Sequence, residues 1–139
     1  MASIIKEVSV DAQPDYVWSV VRDVGAAHTR LFPGILTDCR MDGDARVVTF
    51  ANGNVARELI VDVDDEHRRF AYASVGGKAT HHNASLQVFA DGDKGSRVVW
   101  ITDLLPNEIA PYIRDLVERG SSIMKQTLEA SVQSTEWPC

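Results

Sequence analysis

Two adjacent histidines, His81 and His82, stand at the centre of Gly76-Gly77-Lys78-Ala79-Thr80-His81-His82-Asn83-Ala84-Ser85. They are the residue types here best suited to chemistry, because an imidazole titrates near neutrality without help. A carboxylate within reach would fix the tautomer of such a histidine and raise its basicity. Glu58 is the first candidate for that partner, and the phenol of Tyr72 is the second. Metal binding by the histidine pair is opposed by geometry. Neighbouring residues of a strand point to opposite faces, so the two rings cannot share one ion without distortion. His28 and His67 fall in other segments, and neither a metal nor a cofactor is expected. No serine or cysteine stands in the sharp turn that activates a nucleophile.

These side chains must be placed by a short list of elements. Residues 4–10 alternate apolar and polar and predict a strand. Pro14 opens a helix with Val17, Val20, Val21 and Val24 on one face, ended by Gly25. A second short helix is expected over 27–33, before the breaker Pro33-Gly34. Period-two patterning then predicts strands at 35–41, 45–51, 54–63, 68–75, 80–90 and 95–105. Asn52-Gly53 between two alternating runs is a hairpin signal, and short turns throughout imply an antiparallel meander. After Pro106 the chain is helical to about Gln133, with Ile109, Ile113, Leu116, Val117, Gly120, Ile123, Met124, Thr127 and Leu128 in one stripe. Such a helix spans roughly 40 Å and must lie along a sheet. The expected class is α+β, one domain over residues 1–139, with a curved seven-stranded antiparallel sheet around a long C-terminal helix and two short helices after strand 1. A strongly twisted sheet curls away from its helix, and an internal cavity is the natural consequence.

Composition narrows the partners. With 45% hydrophobic and 24% charged residues the chain reads as a folded protein. Its formal charge of -6 argues against nucleic acid as a partner, because phosphate binding needs a basic face. No run approaches the ~18 apolar residues of a membrane span, so stable membrane insertion is not expected. Cys39 and Cys139 make no disulfide framework and the start has no secretory signal, so a reduced, cytoplasmic location is expected. The acidic run from Asp62 to Glu66 lacks the spaced ligands and central glycine of a calcium loop.

Ala12-Gln13-Pro14-Asp15-Tyr16-Val17-Trp18 with Asp23, Asp42-Gly43, Arg46, Glu58, Asp64, Tyr72 and Arg97-Val98-Val99-Trp100 together resemble the helix-grip superfamily. That group includes START lipid carriers, pollen-allergen (Bet v 1)-like proteins and the polyketide cyclase/dehydrase family. The stretches VWSVVRD, RELIVDVDDEHR and GGKATHHNAS also resemble the plant abscisic-acid receptors. Ala51-Asn52-Gly53-Asn54-Val55-Ala56 departs from the gate motif of those receptors, so the resemblance carries over the pocket and not the hormone. It implies a helix-grip fold with a ligand cavity between sheet and C-terminal helix.

Strand parity sorts residues into that cavity. In 80–90, His82, Ala84, Leu86 and Val88 form the apolar, inward set, and His81 points outward. In 54–63 periodicity alone selects the Leu59 face, whereas the resemblance assigns the Glu58 face to the cavity. The resemblance likewise turns Tyr72, Ser74, Val98, Trp100 and Thr102 inward. Phe32 would cap the mouth, and Leu116, Gly120, Ile123 and Thr127 would close the helical wall. Leu59, Val61, Val99 and Ile101 are left on the convex side as a candidate homodimer patch. The leading expectation is a protein that binds a small hydrophobic molecule, lipid-like or aromatic, without chemistry. The alternatives are a polyketide cyclase/dehydrase-like enzyme with His82 as base and Glu58 or Tyr72 as partner, and a non-catalytic interaction module.

Overall fold

The structure, a computed structural model, describes residues 2–93 and 95–136. Cys139 lies outside the described residues. Strand β1 (Ala2–Val10) leads into helix α1 (Pro14–Val21), a 3-10 turn (Val24–Ala26) and helix α2 (Ala27–Arg30). Five strands on short turns follow: β2 (Leu36–Asp42), β3 (Ala45–Phe50), β4 (Val55–Asp64), β5 (Arg69–Val75) and β6 (His81–Asp91). Strand β7 (Gly95–Leu105), a second 3-10 turn (Asn107–Ile109) and helix α3 (Ala110–Glu136) complete the order. The sheet is antiparallel throughout in the order β1-β7-β6-β5-β4-β3-β2, a meander whose last strand is closed by the first.

Proline at the first position starts α1, where a missing N–H costs nothing, and Val17, Trp18, Val20 and Val21 bury its inner face. The helix ends at Val21 rather than at Gly25 as expected. Asp23 N donates to Val20 O at 3.1 Å, an i→i−3 bond that tightens and stops the helix. In the β5–β6 turn, Gly76 and Gly77 adopt φ of 83° and 73°, a left-handed pair that other residues accommodate poorly.

Helix α3 packs on β1 along a narrow seam of Ala110, Ile113, Val117, Ser121, Met124 and Leu128, all buried. Lys6 reaches across to Glu118 at 2.8 Å, and Lys125 donates to Ser9 O at 2.7 Å. One end of the sheet is sealed by α1 and the C-terminal half of α3, where Tyr16 Oη lies 2.6 Å from Ser131 Oγ. Val17, Val20, Phe70, Leu86, Val88, Val98 and Leu128 fill that end as solid core. On the convex side Leu59 and Val61 are exposed on β4, but Val99 and Ile101 lie three strands away on β7. Asn83, Ser85 and Gln87 of β6 occupy the convex face between them, so the four do not form one continuous patch. Among the described residues, no helix is long and apolar enough to cross a membrane.

Candidate functional site

The other end of the sheet is hollow. A cavity of about 640 Å³ lies between the concave face and the N-terminal half of α3. Its sheet wall is built by inward residues of successive strands: Val48 and Phe50 of β3, Ala56 and Glu58 of β4, Tyr72 and Ser74 of β5, His82 of β6, Trp100 and Thr102 of β7. Its helical wall is Ile113, Leu116, Val117 and Gly120, and Phe32 and Ile35 cover it from the segment after α2. The rim is made by the β3–β4 turn, the β5–β6 turn and the start of α3, where Val55, Val75 and Tyr112 are exposed.

One charged pair lies in this wall. Arg46 and Glu58 face each other across β3 and β4, and Arg46 Nε donates to Glu58 Oε1 at 2.8 Å with the side chains 5% and 12% exposed. A second arm donates from Arg46 Nη1 to Val24 O at 3.0 Å, tying the strand to the turn after α1. The guanidinium also lies over Phe70 and Tyr72, 5.0 and 5.3 Å from the ring centroids, and those rings stack at 5.3 Å. Buried charge is tolerated here because it is paired, hydrogen-bonded and flanked by π faces.

His82 lines the cavity, but Glu58 is not its partner. Glu58 stands opposite Ser74, and the β5–β6 register carries that row on to His82, so the two lie two strands apart. That separation is roughly 10 Å between backbones. The Glu58 carboxylate turns the other way, to Arg46. Among the described residues, His82 makes no hydrogen bond to Glu58 or Tyr72. Burial, and after it the neighbouring His81, holds the His82 imidazole below its usual range, favouring the neutral ring. Burial, then the Glu58 carboxylate, pushes the Tyr72 phenol far up, so it keeps its proton.

Of the other residues expected at the site, Phe32, Ser74, Trp100, Leu116 and Gly120 line the cavity. Ala84 and Leu86 face inward but are buried in the core rather than on the cavity surface. Ile123 and Thr127 are half-buried on the flank of the α3 seam, toward the sealed end, and do not reach the cavity. As a site residue Arg46 is an addition. Its signal was a charged residue in the inward set of β3 with Val48 and Phe50. Among the described residues, no group of three or more His, Cys, Asp or Glu side chains is placed to hold a metal ion.

The family described as polyketide cyclase / dehydrase and lipid transport matches residues 1–133. This chain belongs to that family. No curated protein sequence matches it. Among solved structures it is similar to the Bacillus cereus protein XoxI, with TM-score 0.83 and 17% identity over 99% of this chain and 100% of that one. It is also similar to a Thermobifida fusca protein, with TM-score 0.80 and 24% identity over 98% of this chain and 96% of that one. Norcoclaurine synthase from Thalictrum flavum, solved with dopamine and hydroxybenzaldehyde, matches with TM-score 0.76 and 20% identity over 99% of this chain and 89% of that one. At these identities the neighbours establish the fold: the helix-grip arrangement of the polyketide cyclase/dehydrase family, with its long C-terminal helix.

Proposed function

We propose that this protein binds one small, neutral, mainly apolar molecule, aromatic or lipid-like, in the cavity between the sheet and α3. The observation that carries this reading is the pairing of charge in the wall. Arg46 and Glu58 neutralise one another, which leaves about 640 Å³ bounded mostly by apolar side chains and a few uncharged polar groups, with the charges of Lys78 and Glu108 confined to the exposed rim. Sites for small ligands have volumes of about 300–1,000 Å³ and this mixture of apolar walls and sparse polar atoms. Polyketide cyclase/dehydrase-like chemistry needs a base with a partner. Glu58 is engaged by Arg46, and among the described residues no second group orients His82, so binding is the better-supported function.

Native mass spectrometry of protein purified without refolding tests the proposal. The expected result is a retained apolar molecule, lost when Ala56→Trp fills the cavity from β4, together with saturable binding of the hydrocarbon 2-isopropenylnaphthalene. A bare mass together with no saturable binding of that hydrocarbon overturns it.

A further inference from the structure

Both described tryptophans are buried, but only one has its N–H satisfied. Trp18 Nε1 donates to Asp65 Oδ1 at 2.9 Å. Trp100 is 8% exposed, its ring forms part of the cavity wall, and its buried Nε1 has no hydrogen-bond partner. Native interiors rarely leave a buried donor unpaired, and each such case calls for an explanation. The ring cannot swing away to find an acceptor. It packs on Phe32 with centroids 5.5 Å apart, and it covers Gly120 so closely that a Cβ there would stand 3.1 Å from the ring. The donor is therefore held in place.

A second donor stands beside it. Tyr72 opposes the small Ala84, which in turn opposes Thr102, while Trp100 opposes Leu86 one inward position further along. Ala84 leaves the space above β6 in which the long side chains of β5 and β7 approach one another. The Trp100 N–H approaches the Tyr72 oxygen within hydrogen-bonding reach and favours its ionised form, but its geometry falls short of a formed bond, so the N–H stays unsatisfied. Tyr72 is 7% exposed and its phenol stays protonated, so it too offers a hydrogen.

We propose that Trp100 Nε1–H and the Tyr72 hydroxyl form a two-donor subsite for a neutral acceptor oxygen, the carbonyl of a ketone or aldehyde borne on an apolar body. An anionic acceptor is disfavoured, because Glu58 is close enough to act on Tyr72 and Arg46 is already engaged by Glu58. The proposal rests on the cavity being a ligand site and adds which chemical group it selects. Calorimetric titration of the whole chain with 2-acetylnaphthalene and 2-isopropenylnaphthalene, which exchange a carbonyl oxygen for a methylene, tests it.

Trp100→Phe and Tyr72→Phe are each expected to lower the ratio of ketone to alkene affinity roughly tenfold, since each leaves the carbonyl one donor short. Alkene affinity should change little, which also reports that the variants fold. The infrared carbonyl stretch of the bound ketone, measured in the unaltered protein, should lie below its value in dry hydrocarbon solvent, a reading that needs no variant. An unchanged affinity ratio in the variants, or a carbonyl stretch at the hydrocarbon value, overturns the subsite while leaving the cavity as a binding site. Failure of both compounds to bind overturns the subsite together with the proposed function.

Discussion

Arg46→Met removes the guanidinium that faces Glu58 across the β3–β4 pair and leaves a carboxylate only 12% exposed without a counter-charge. Breaking one side of a buried ion pair costs about 3–5 kcal/mol, because the survivor is an uncompensated charge in a poorly polarisable surrounding. Glu58 borders a cavity with an open rim, which places the loss near the lower end, about 3 kcal/mol. Methionine keeps the aliphatic contact with Phe70 and Tyr72 but loses the cation over their rings, a further loss of about 0.5–1 kcal/mol. Unfolding entropy for 139 residues is about 0.3 kcal/mol per degree, so the combined loss lowers Tm by about 12–13 °C.

Scanning calorimetry of Arg46→Met beside the double variant Arg46→Met/Glu58→Met separates pairing from packing. Two apolar groups of similar volume in place of a buried pair are neutral or stabilising, so the double variant should recover most of the deficit. Arg46→Met melting within two or three degrees of the unaltered protein would refute the burial argument. A double variant less stable than the single would show that the lone Glu58 carboxylate carries no burial cost, against the same reasoning.

Gly120→Ala should gain about 1 kcal/mol of helix propensity and lose more than that, because its Cβ meets a Trp100 ring that Phe32 holds in place. A lowered Tm with an altered near-ultraviolet tryptophan signal is the expected result, and a raised Tm contradicts the close fit. His82 should titrate below the ordinary value of 6.5 when its ring protons are followed by NMR. With the folded pKa depressed, the folded state binds fewer protons than the unfolded one, so stability present above pH 6.5 is lost as pH falls through the folded pKa. His82→Gln should flatten that acid limb, and an NMR midpoint above 6.5 would contradict the burial. Val61→Asp should leave the sedimentation coefficient unchanged, because the convex apolar residues are split by the polar face of β6.

Most of the architecture was legible as alternation and turn chemistry, and most strand ends differ from expectation by a single residue. The informative failure is the β3–β4 hairpin. A two-residue Asn-Gly loop pairs residue 51 with 54 and would set Arg46 opposite Leu59. The chain uses a three-residue loop from Ala51 to Gly53, with Phe50 N bonded to Asn54 O at 2.8 Å, and Arg46 falls opposite Glu58. One residue of register decides whether Leu59 or Glu58 stands opposite Arg46, which is why the ion pair was invisible. The apolar content of β4 also misled, since Val55, Leu59 and Val61 are exposed on the convex side. The partnership of His82 with Glu58 was a proximity inferred across two strands without a register to support it. Trp100 and Gly120 could each be placed on the correct face, but their contact depends on how α3 crosses β7, which no one-dimensional pattern encodes.

Three of the four expected cavity residues that fell elsewhere share a direction. Leu86, Ile123 and Thr127 all lie toward the sealed end, where α1 and the C-terminal half of α3 close over the sheet. Parity tells which face a residue takes; it does not tell how far along the strand the core stops and the cavity begins. That boundary is drawn by volume. Phe70, Leu86, Met124 and Leu128 fill the space on one side, whereas Ala56, Ser74 and Gly120 are too small to fill it on the other. Arg46, Glu58, Tyr72 and Trp100 stand where the two meet. A substitution in the solid end acts on stability through lost packing. One at the rim, such as Val55 or Tyr112, acts on entry with little effect on the fold. Only at the boundary are the two coupled, because there the same buried polar groups bound the core and face the ligand.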